Sequence, residues 1–361
     1  MKKIAAILSL VLVVCMLAGC AGTTVVYYSD CTCPVGSHVQ TPATEAPATE
    51  PPVVAEGAVK TGLAVVTTVR DSVSASADAE GEAKYDVTVA AVNVDDNGVI
   101  TACYIDSIGA SVMFGADGVI TSDVAAAVLT KNELGDSYGM KAYGGATYEW
   151  YEQAEALANY AVGKTLEELR SGAVNEAGKA ADADLASAAT IYLGGYVAAI
   201  EAAVANAQHL GAQAGDQLKV AVLAGLTDSK SAEGENAGNA QLNVDVAAIT
   251  MSGETITSCA IDSVQAKVAF DAAGVITSDV AAPVQTKNEL GEAYGMKAWA
   301  GAKYEWNEQA ANFAAYVTGK TAAQVAGIAI DEGTKPTDAD LSASVTIAIG
   351  GFQALIAKAC Q

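Results

Sequence analysis

The chain has 361 residues, enough for two or three domains, and 52% of them are hydrophobic, so sizeable cores can form. Its formal net charge of −23 gives a surface that repels phosphate backbones, which argues against nucleic acid as a partner. Because His38 and His209 are the only histidines, neither a repeated Ser-His-Asp triad nor a repeated histidine zinc site can occur.

Residues 1–20 predict the leader of a bacterial lipoprotein. Lys2 and Lys3 form a basic start, and residues 4–17 form an apolar stretch that is too short to span a bilayer. Leu17-Ala-Gly-Cys20 then resembles a lipobox, whose cysteine is acylated and becomes the new N-terminus. Because two acyl chains hold a protein stably on a membrane, we expect a lipid anchor at Cys20 on the extracellular face of the cell membrane. The alternative is an ordinary signal peptide with a chance cysteine.

Residues 21–58 predict a disordered tether. Five of the seven prolines lie here, and residues 41–52 are a run of Pro, Ala, Thr and Glu. Such a composition buries too little apolar surface to offset the entropy of ordering. We expect the segment to let the folded domains reach through the cell wall. No role is assigned to Cys31 and Cys33, which lie within it.

An internal duplication organises the rest of the chain. Residues 118–126 recur as 274–282 with the same sequence, GVITSDVAA. We place the start of an ungapped offset of 156 residues at Tyr85 paired with Gln241, with an offset one residue longer upstream. Each unit has the size of a domain.

The duplication predicts two tandem domains, 59–207 and 217–361, joined by a linker at 208–216. Strands are expected first in each unit, because 85–94 has period-two stretches and Asp96-Asn97-Gly98 predicts a hairpin. Apolar residues at helical spacing follow in both units: Trp150, Ala154, Leu157 and Ala161, and Trp306, Ala310, Phe313 and Val317. Strands followed by helices predict an α+β fold in which each domain is an antiparallel sheet with helices packed on it.

Two matched segments, 184–190 and 340–346, are the candidate functional site. Each is expected to form a turn that ends in a threonine, Thr190 or Thr346, shortly before an alanine-rich helix. From the residue types alone, a helix-capping role is favoured for the threonines. However, the small neighbouring residues leave room for a bulky group at the hydroxyl, and a helix N-terminus favours a bound phosphate.

The first segment, Asp184-Leu-Ala-Ser187-Ala-Ala-Thr190, resembles the flavinylation motif Asp-Gly-x-Ser-Gly-Ala-Thr of FMN-binding domains. In that family a flavin transferase joins FMN to the threonine hydroxyl through a phosphoester. With the lipobox and the duplication, the chain resembles the flavinylated surface lipoproteins that carry electrons out of Gram-positive bacteria. The resemblance implies covalent FMN on Thr190 and Thr346, with Asp184, Asp340 and Ser187 as recognition residues. Both glycines of the motif are replaced in both units, and the second unit also departs at the serine and alanine positions.

A second repeated stretch, Thr-Lys-Asn-Glu-Leu-Gly-x-x-Tyr-Gly-Met-Lys, occupies 130–141 and 286–297. In a flavin site its tyrosines would stack on the ring, its methionines would pack beside it, and its lysines would face the phosphate or the reduced N1. The residues concerned are Tyr138, Tyr294, Met140, Met296, Lys131, Lys141, Lys287 and Lys297. An equally weighted alternative is a loop folded over the sheet by its own Asn and Glu hydrogen bonds.

The resemblance implies a lipid-anchored extracellular electron carrier with FMN in each domain, in which the protein holds the cofactor and the flavin supplies the redox chemistry. Expected partners are the flavin transferase, a membrane quinol- or NADH-linked electron donor, and external acceptors such as ferric iron or soluble flavin. The alternative is a non-redox cell-surface binding or interaction lipoprotein with duplicated domains. A flavin enzyme with its own substrate is disfavoured, because no repeated acid/base group is visible.

Overall fold

The computed structural model describes residues 57–361, which form two similar halves. Each half has a three-stranded antiparallel sheet, in the order β1-β2-β3 or β4-β5-β6, followed by helices. The predicted α+β fold is therefore confirmed. Cys20, Cys31, Cys33 and most of the predicted tether lie outside the described residues. No helix in the described part of the chain is both long and apolar enough to cross a membrane.

The elements repeat in order along the chain. The strands are β1 (Lys60–Thr68), β2 (Gly81–Val94), β3 (Ile100–Phe114), β4 (Gln217–Gly225), β5 (Gly238–Ser252) and β6 (Thr255–Phe270). The helices of the first half are α1 (Lys131–Leu134), α2 (Met140–Gly144), α3 (Trp150–Ala161), α4 (Leu166–Gly172), α5 (Ala183–Ala188) and α6 (Gly194–Ala205). Those of the second are α7 (Lys287–Leu290), α8 (Met296–Ala300), α9 (Trp306–Val317), α10 (Ala322–Ala326), α11 (Ala339–Ser342) and α12 (Gly350–Ala359). Short 3-10 helices, Gly135–Tyr138 and Gly291–Tyr294, lie between α1 and α2 and between α7 and α8.

Both faces of each sheet are covered, as the alternation along β2 shows. Ala90 and Val92 pack into a core with the helices of their own half. Val87 and Val89, which point the opposite way, pack into a core that also contains residues of all three strands of the second sheet. The layers therefore run helices, sheet, sheet, helices.

The two halves contact each other through reciprocal pairs of residues. Ala75 N donates to Gly274 O, and Ala232 N donates to Gly118 O, both at 2.8 Å. The rings of Phe114 and Phe270 stack between the halves, with centroids 4.1 Å apart and planes 3° apart. Reciprocal contacts of this kind are typical of two subunits related by a two-fold axis. Both halves belong to one compact unit.

The strand register corrects the alignment of the two halves. Tyr85 pairs with Ala110, and Leu242 pairs with Ala266, so Tyr85 matches Leu242 at an offset of 157 residues. The match of Tyr85 with Gln241 was therefore wrong. The one-residue difference falls in the hairpin instead, where five residues separate Val94 from its partner Ile100, against four between Met251 and Ile256 in the second half.

The segment between the halves is paired with the start of the first half. Val59 N donates to Ala212 O at 3.0 Å, and Gln208 N donates to Thr61 O at 3.1 Å. Ala58, which sequence reasoning placed in the tether, forms a bridge with Gln213. The predicted linker residues thus contribute to the fold of the first half.

Candidate functional site

The segment before each threonine is a short helix, whereas a turn was expected. The carboxylate of Asp182 caps α5 by accepting hydrogen bonds from the N–H groups of Asp184 and Leu185. Asp338 caps α11 in the same way. A carboxylate at the N-cap satisfies N–H groups that have no partner within the helix. The motif aspartates lie inside the first turn, and an aspartate two residues earlier does the capping.

Each threonine is hydrogen-bonded to a buried glutamine of its own half. The Thr190 hydroxyl donates to Gln153 Oε1 at 3.2 Å, and the N–H groups of Thr190 and Ile191 donate to the same oxygen at 2.8 and 3.1 Å. In the second half, Gln309 Oε1 accepts the same three bonds at 3.2, 2.8 and 3.2 Å from Thr346 and the residue after it. The predicted capping role is wrong, because the N-cap of α6 is Leu193, without a side-chain bond.

Gln153 was missed by sequence reasoning, although it lies on the buried stripe of α3 and is only 1% exposed. Its Nε2 donates to Tyr148 O at 2.9 Å and lies 3.8 Å from Met140 Sδ. The same contacts, at 2.9 and 3.9 Å, surround Gln309. One amide therefore joins the threonine and the methionine of the predicted site. The sequence does contain a signal for this residue, because a glutamine stands at the matching position of the apolar helix in both units.

A buried carboxylate holds the Gly-Met-Lys loop. Glu149, the N-cap of α3, accepts hydrogen bonds from Met140 N at 2.8 Å and Lys141 N at 2.9 Å. Glu305 does the same in the second half, with bonds of 2.8 and 3.1 Å. A negative charge is stabilised at a helix N-terminus by the aligned peptide dipoles. Sequence reasoning missed both glutamates as well.

The start of the repeated loop folds by its own Asn and Glu hydrogen bonds, which was the alternative considered for it. Thr130 and Glu133 form a capping box around α1, and Asn132 Nδ2 donates to Ile105 O at 2.9 Å. Asn288 makes the matching 2.9 Å bond to Ile261 O. These bonds fix the loop on β3 and β6.

The loop lysines lie beside aromatic rings. Lys131 Nζ is 5.2 Å from the ring centroids of both Tyr138 and Trp150. Lys287 Nζ is 5.3 Å from Tyr294 and 4.8 Å from Trp306. Loss of solvent around Lys287 lowers the pKa of its ammonium group. In residues 57–361, no hydrogen bond or ion pair joins these ammonium groups to Thr190 or Thr346.

The second pair of loop lysines forms ion pairs at the surface. Lys141 pairs with Glu152 at 2.9 Å, and Lys297 pairs with Glu308 at 2.7 Å. In each case the glutamate is on the helix that carries the buried glutamine. These ion pairs face solvent and bind the loop to α3 or α9.

The proposed recognition residues lie on the exposed side of the threonine segments. Asp184, Asp340 and Ser187 are exposed, and Ser187 Oγ donates to Asp184 O at 2.7 Å. A cation that sequence reasoning missed, Lys179, donates from Nζ to Thr190 O at 2.7 Å. The first threonine therefore has a positive charge beside it.

An exposed aromatic residue follows each loop methionine by three positions. Tyr143 is 91% exposed and Trp299 is 88% exposed. Each ring lies over a glycine with positive φ, where a Cβ would stand 2.5 Å from the Tyr143 ring at Gly139 and 2.2 Å from the Trp299 ring at Gly295. Glycine is therefore required beneath each ring. These aromatics were also missed, although both follow the repeated Gly-Met-Lys.

The surroundings of Thr190 fit a flavin nucleotide attached at the surface. Thr190 is an exposed residue, and α6 begins at Gly194 without a side-chain cap. Gly194 N donates to Gly178 O at 3.3 Å, so the N–H groups that favour a phosphate are those of the next residues of the first turn. Two cavities, of about 740 and 350 Å³, are lined by other residues. The chain has no match among protein families, characterised proteins or solved structures.

Proposed function

We propose that the protein is a lipid-anchored extracellular electron carrier with FMN attached covalently to Thr190 and Thr346. A flavin transferase would attach the cofactor, a membrane quinol- or NADH-linked enzyme would supply electrons, and external acceptors would receive them. The flavin supplies the redox chemistry, and the protein holds it.

The observation that carries this proposal is the identical presentation of an exposed threonine in both halves. The hydroxyl donates its hydrogen to a buried glutamine oxygen, Gln153 or Gln309, so its oxygen lone pairs stay free for a phosphoester bond. Because two backbone N–H groups bond to the same oxygen, the hydroxyl is held at a defined position. A threonine that served only to make the surface soluble would not need hydrogen bonds to a buried glutamine.

Three features of each half would accommodate the attached nucleotide. The uncapped first turn of α6 or α12 favours the phosphate. Met140 or Met296 lies against the same glutamine as the threonine. The exposed ring of Tyr143 or Trp299 offers a face for stacking on the flavin. Lys179 adds a positive charge beside Thr190.

Intact mass and in-gel fluorescence test the proposal. The full chain is expressed with a flavin transferase, denatured, and compared with Thr190→Ala, Thr346→Ala and the double variant. We expect two FMN additions in the parent, one in each single variant and none in the double variant. Thr147→Ala, an exposed threonine outside both segments, is the matched control and should keep both additions.

An unmodified mass at both threonines, in protein isolated from its own organism, would remove the carrier proposal. A non-redox binding role at the cell surface is the second candidate, and the cavity of about 740 Å³ between the halves favours it.

A further inference from the structure

The larger cavity lies where the two halves meet. Its walls come from β1, α6 and the following segment of the first half, and from β6, α7 and α9 of the second. Much of the surface is small and apolar, including Ala260, Ala311 and Ala315. A volume of about 740 Å³ is in the range that holds small organic molecules. None of the residues proposed to hold FMN lines this cavity.

The matching position in the first half holds a smaller cavity. There the cavity measures about 350 Å³, and Tyr104 forms part of its wall. The Tyr104 hydroxyl donates to Asp106 Oδ2 at 3.1 Å and accepts from Asn132 Nδ2 at 3.1 Å. In the second half the residue paired at this strand position is Ala260, so Asp262 has no tyrosine hydroxyl beside it.

Three further replacements widen the site in the second half. Larger side chains of α3 give way to smaller ones at the matching positions of α9: Tyr151 to Asn307, Glu155 to Ala311, and Asn159 to Ala315. These replacements enlarge the space in the second half, and β1, α6 and the segment after α6 add a further wall that the smaller cavity lacks.

The carboxylate of Asp262 has one hydrogen-bond donor fewer than its counterpart Asp106, which also accepts from Tyr104. Asp262 is only 6% exposed, and the N–H groups of Ser263 and Asn288 both donate to Oδ1, at 2.7 and 3.2 Å. The hydroxyl of Thr286, the residue that caps α7, also hydrogen-bonds to this carboxylate. Lys287 is the nearby cation on α7, but it does not line the cavity. The oxygen that a tyrosine serves in the first half has no such donor here.

Two acceptor atoms that line the cavity are buried without a hydrogen-bond partner. One is Asn307 Oδ1. The other is His209 Nδ1, because His209 Nε2 lies 3.0 Å from the carboxylate of Asp96, which only accepts. In the neutral ring Nε2 therefore carries the hydrogen and Nδ1 has a lone pair. Buried acceptors without donors are costly, so a ligand that donates hydrogen bonds would be favoured there.

We propose that this cavity binds a small organic amine, whose charged N–H group donates to Asp262 and Asn307 while its apolar body lies against the alanines. The second acidic group of the wall, Glu289, adds to the preference for a cation. The ligand takes the place that the Tyr104 hydroxyl fills in the first half. This site is separate from the threonines and does not depend on the proposed electron carrier.

A matched series of probes tests both the site and the charge preference. Tyramine, 4-methylphenol and 3-(4-hydroxyphenyl)propionate share a phenol body and carry a cation, no charge and an anion, respectively. Calorimetric titration of the full chain should show saturable binding of tyramine, about tenfold tighter than 4-methylphenol, a difference of about 1.4 kcal/mol. The anionic probe should not bind.

Variants locate the binding. Ala260→Tyr restores the first-half side chain and should abolish binding of tyramine. Asp262→Asn should reduce tyramine affinity about tenfold and leave 4-methylphenol unchanged. Asp106→Asn, the matched change in the first half, should leave both affinities as they are. The unfolding midpoint of each variant checks that it is folded, and Asn307→Tyr is a second closing variant if Ala260→Tyr does not fold.

Equal affinity for the three probes, binding that survives both closing variants, or no saturable binding of any probe would overturn the proposal. The Thr190→Ala, Thr346→Ala double variant should bind tyramine as the parent does. Loss of flavin attachment and loss of amine binding are therefore distinguishable outcomes.

Discussion

A tyrosine hydroxyl is buried between the two sheets without a hydrogen-bond partner. Tyr85 is 0% exposed, its hydroxyl is unpaired, and burial raises its pKa well above the usual value. An unpaired buried hydroxyl carries a desolvation cost that phenylalanine does not. We therefore expect Tyr85→Phe to keep or raise the free energy of unfolding, by up to about 1 kcal/mol, as measured by urea denaturation.

Tyr104→Phe is the matched control for this prediction. Its hydroxyl is bonded to Asp106 and Asn132, both of which would lose a partner. The control should therefore lower the free energy of unfolding by about 1–3 kcal/mol. An equal loss in Tyr85→Phe would show that the Tyr85 hydroxyl does have a partner.

The buried carboxylate of Asp262 predicts a pH-dependent stability. Burial is the main cause that raises its pKa from 3.8 to about 6. Below pH 3.8 the group is protonated in both states; between 3.8 and about 6 the folded state keeps the proton that the unfolded state has lost. The stability therefore falls as the pH rises through this window, by roughly 3 kcal/mol, and stays lower above it.

Asp262→Asn should remove this contribution, since asparagine carries no charge, and should leave that of Asp106, whose pKa is also raised by burial. We expect the variant to gain stability relative to the parent between pH 4 and 7, by roughly 3 kcal/mol, in urea denaturation at each pH. Asp78→Asn, at an exposed position, should follow the parent across the range. A constant difference between Asp262→Asn and the parent would mean that Asp262 ionises as easily as an exposed aspartate.

At the scale of single elements, two glycine turns differ in what surrounds them. Gly98 and Gly118 both have positive φ, +80° and +70°, which makes alanine unfavourable at either position. Nothing lies near a Cβ at Gly98, whereas one at Gly118 would stand 2.8 Å from Ala232 Cβ and 2.9 Å from Asp271 O. The turn after β3 therefore contacts the other half.

Gly118→Ala should destabilise the protein more than Gly98→Ala, by about 1–3 kcal/mol, because only the former overpacks the contact between the halves. Thermal or urea unfolding of the two variants measures the difference. Equal losses of stability would indicate that the left-handed backbone conformation alone causes the destabilisation. The contact between the halves at Gly118 would then accommodate the added methyl group without strain.

Sequence reasoning was successful for elements that depend on local pattern. The hairpin at Asp96-Asn97-Gly98 and the stripe of α3 followed from turn chemistry and helical spacing, which neighbouring residues determine. The role of Gln153 could not be obtained this way, because its bonds reach Thr190, 37 residues away. The match of Tyr85 with Leu242 also required the strand register, since alternating small and β-branched residues align almost as well one position away.

At the scale of the whole molecule, the stacked pair Phe114 and Phe270 predicts that the halves stabilise each other. Each ring belongs to one half and packs in the shared core. A double-mutant cycle with leucine at both positions should give a coupling energy of about 0.5–1.5 kcal/mol. The parent should unfold in one transition seen by fluorescence and circular dichroism alike.

The same cycle on Phe114 and Phe313 provides the comparison. Phe313 lies in the helical core of the second half and shares no core with Phe114. These two changes should add within about 0.5 kcal/mol. Equal coupling in the two cycles would mean that the stacked rings contribute no specific stabilisation. Two separate transitions in the parent would mean that the halves fold independently.

The reciprocal contacts between the halves have a consequence for how this molecule can vary. When two identical chains assemble about an axis, any substitution is imposed on both sides at once. Here both copies belong to one polypeptide, so one side can carry Ala260 and a wide cavity while the other carries Tyr104 and a narrower one. Joining the copies end to end thus frees each half to change at this position without imposing the same change on its twin.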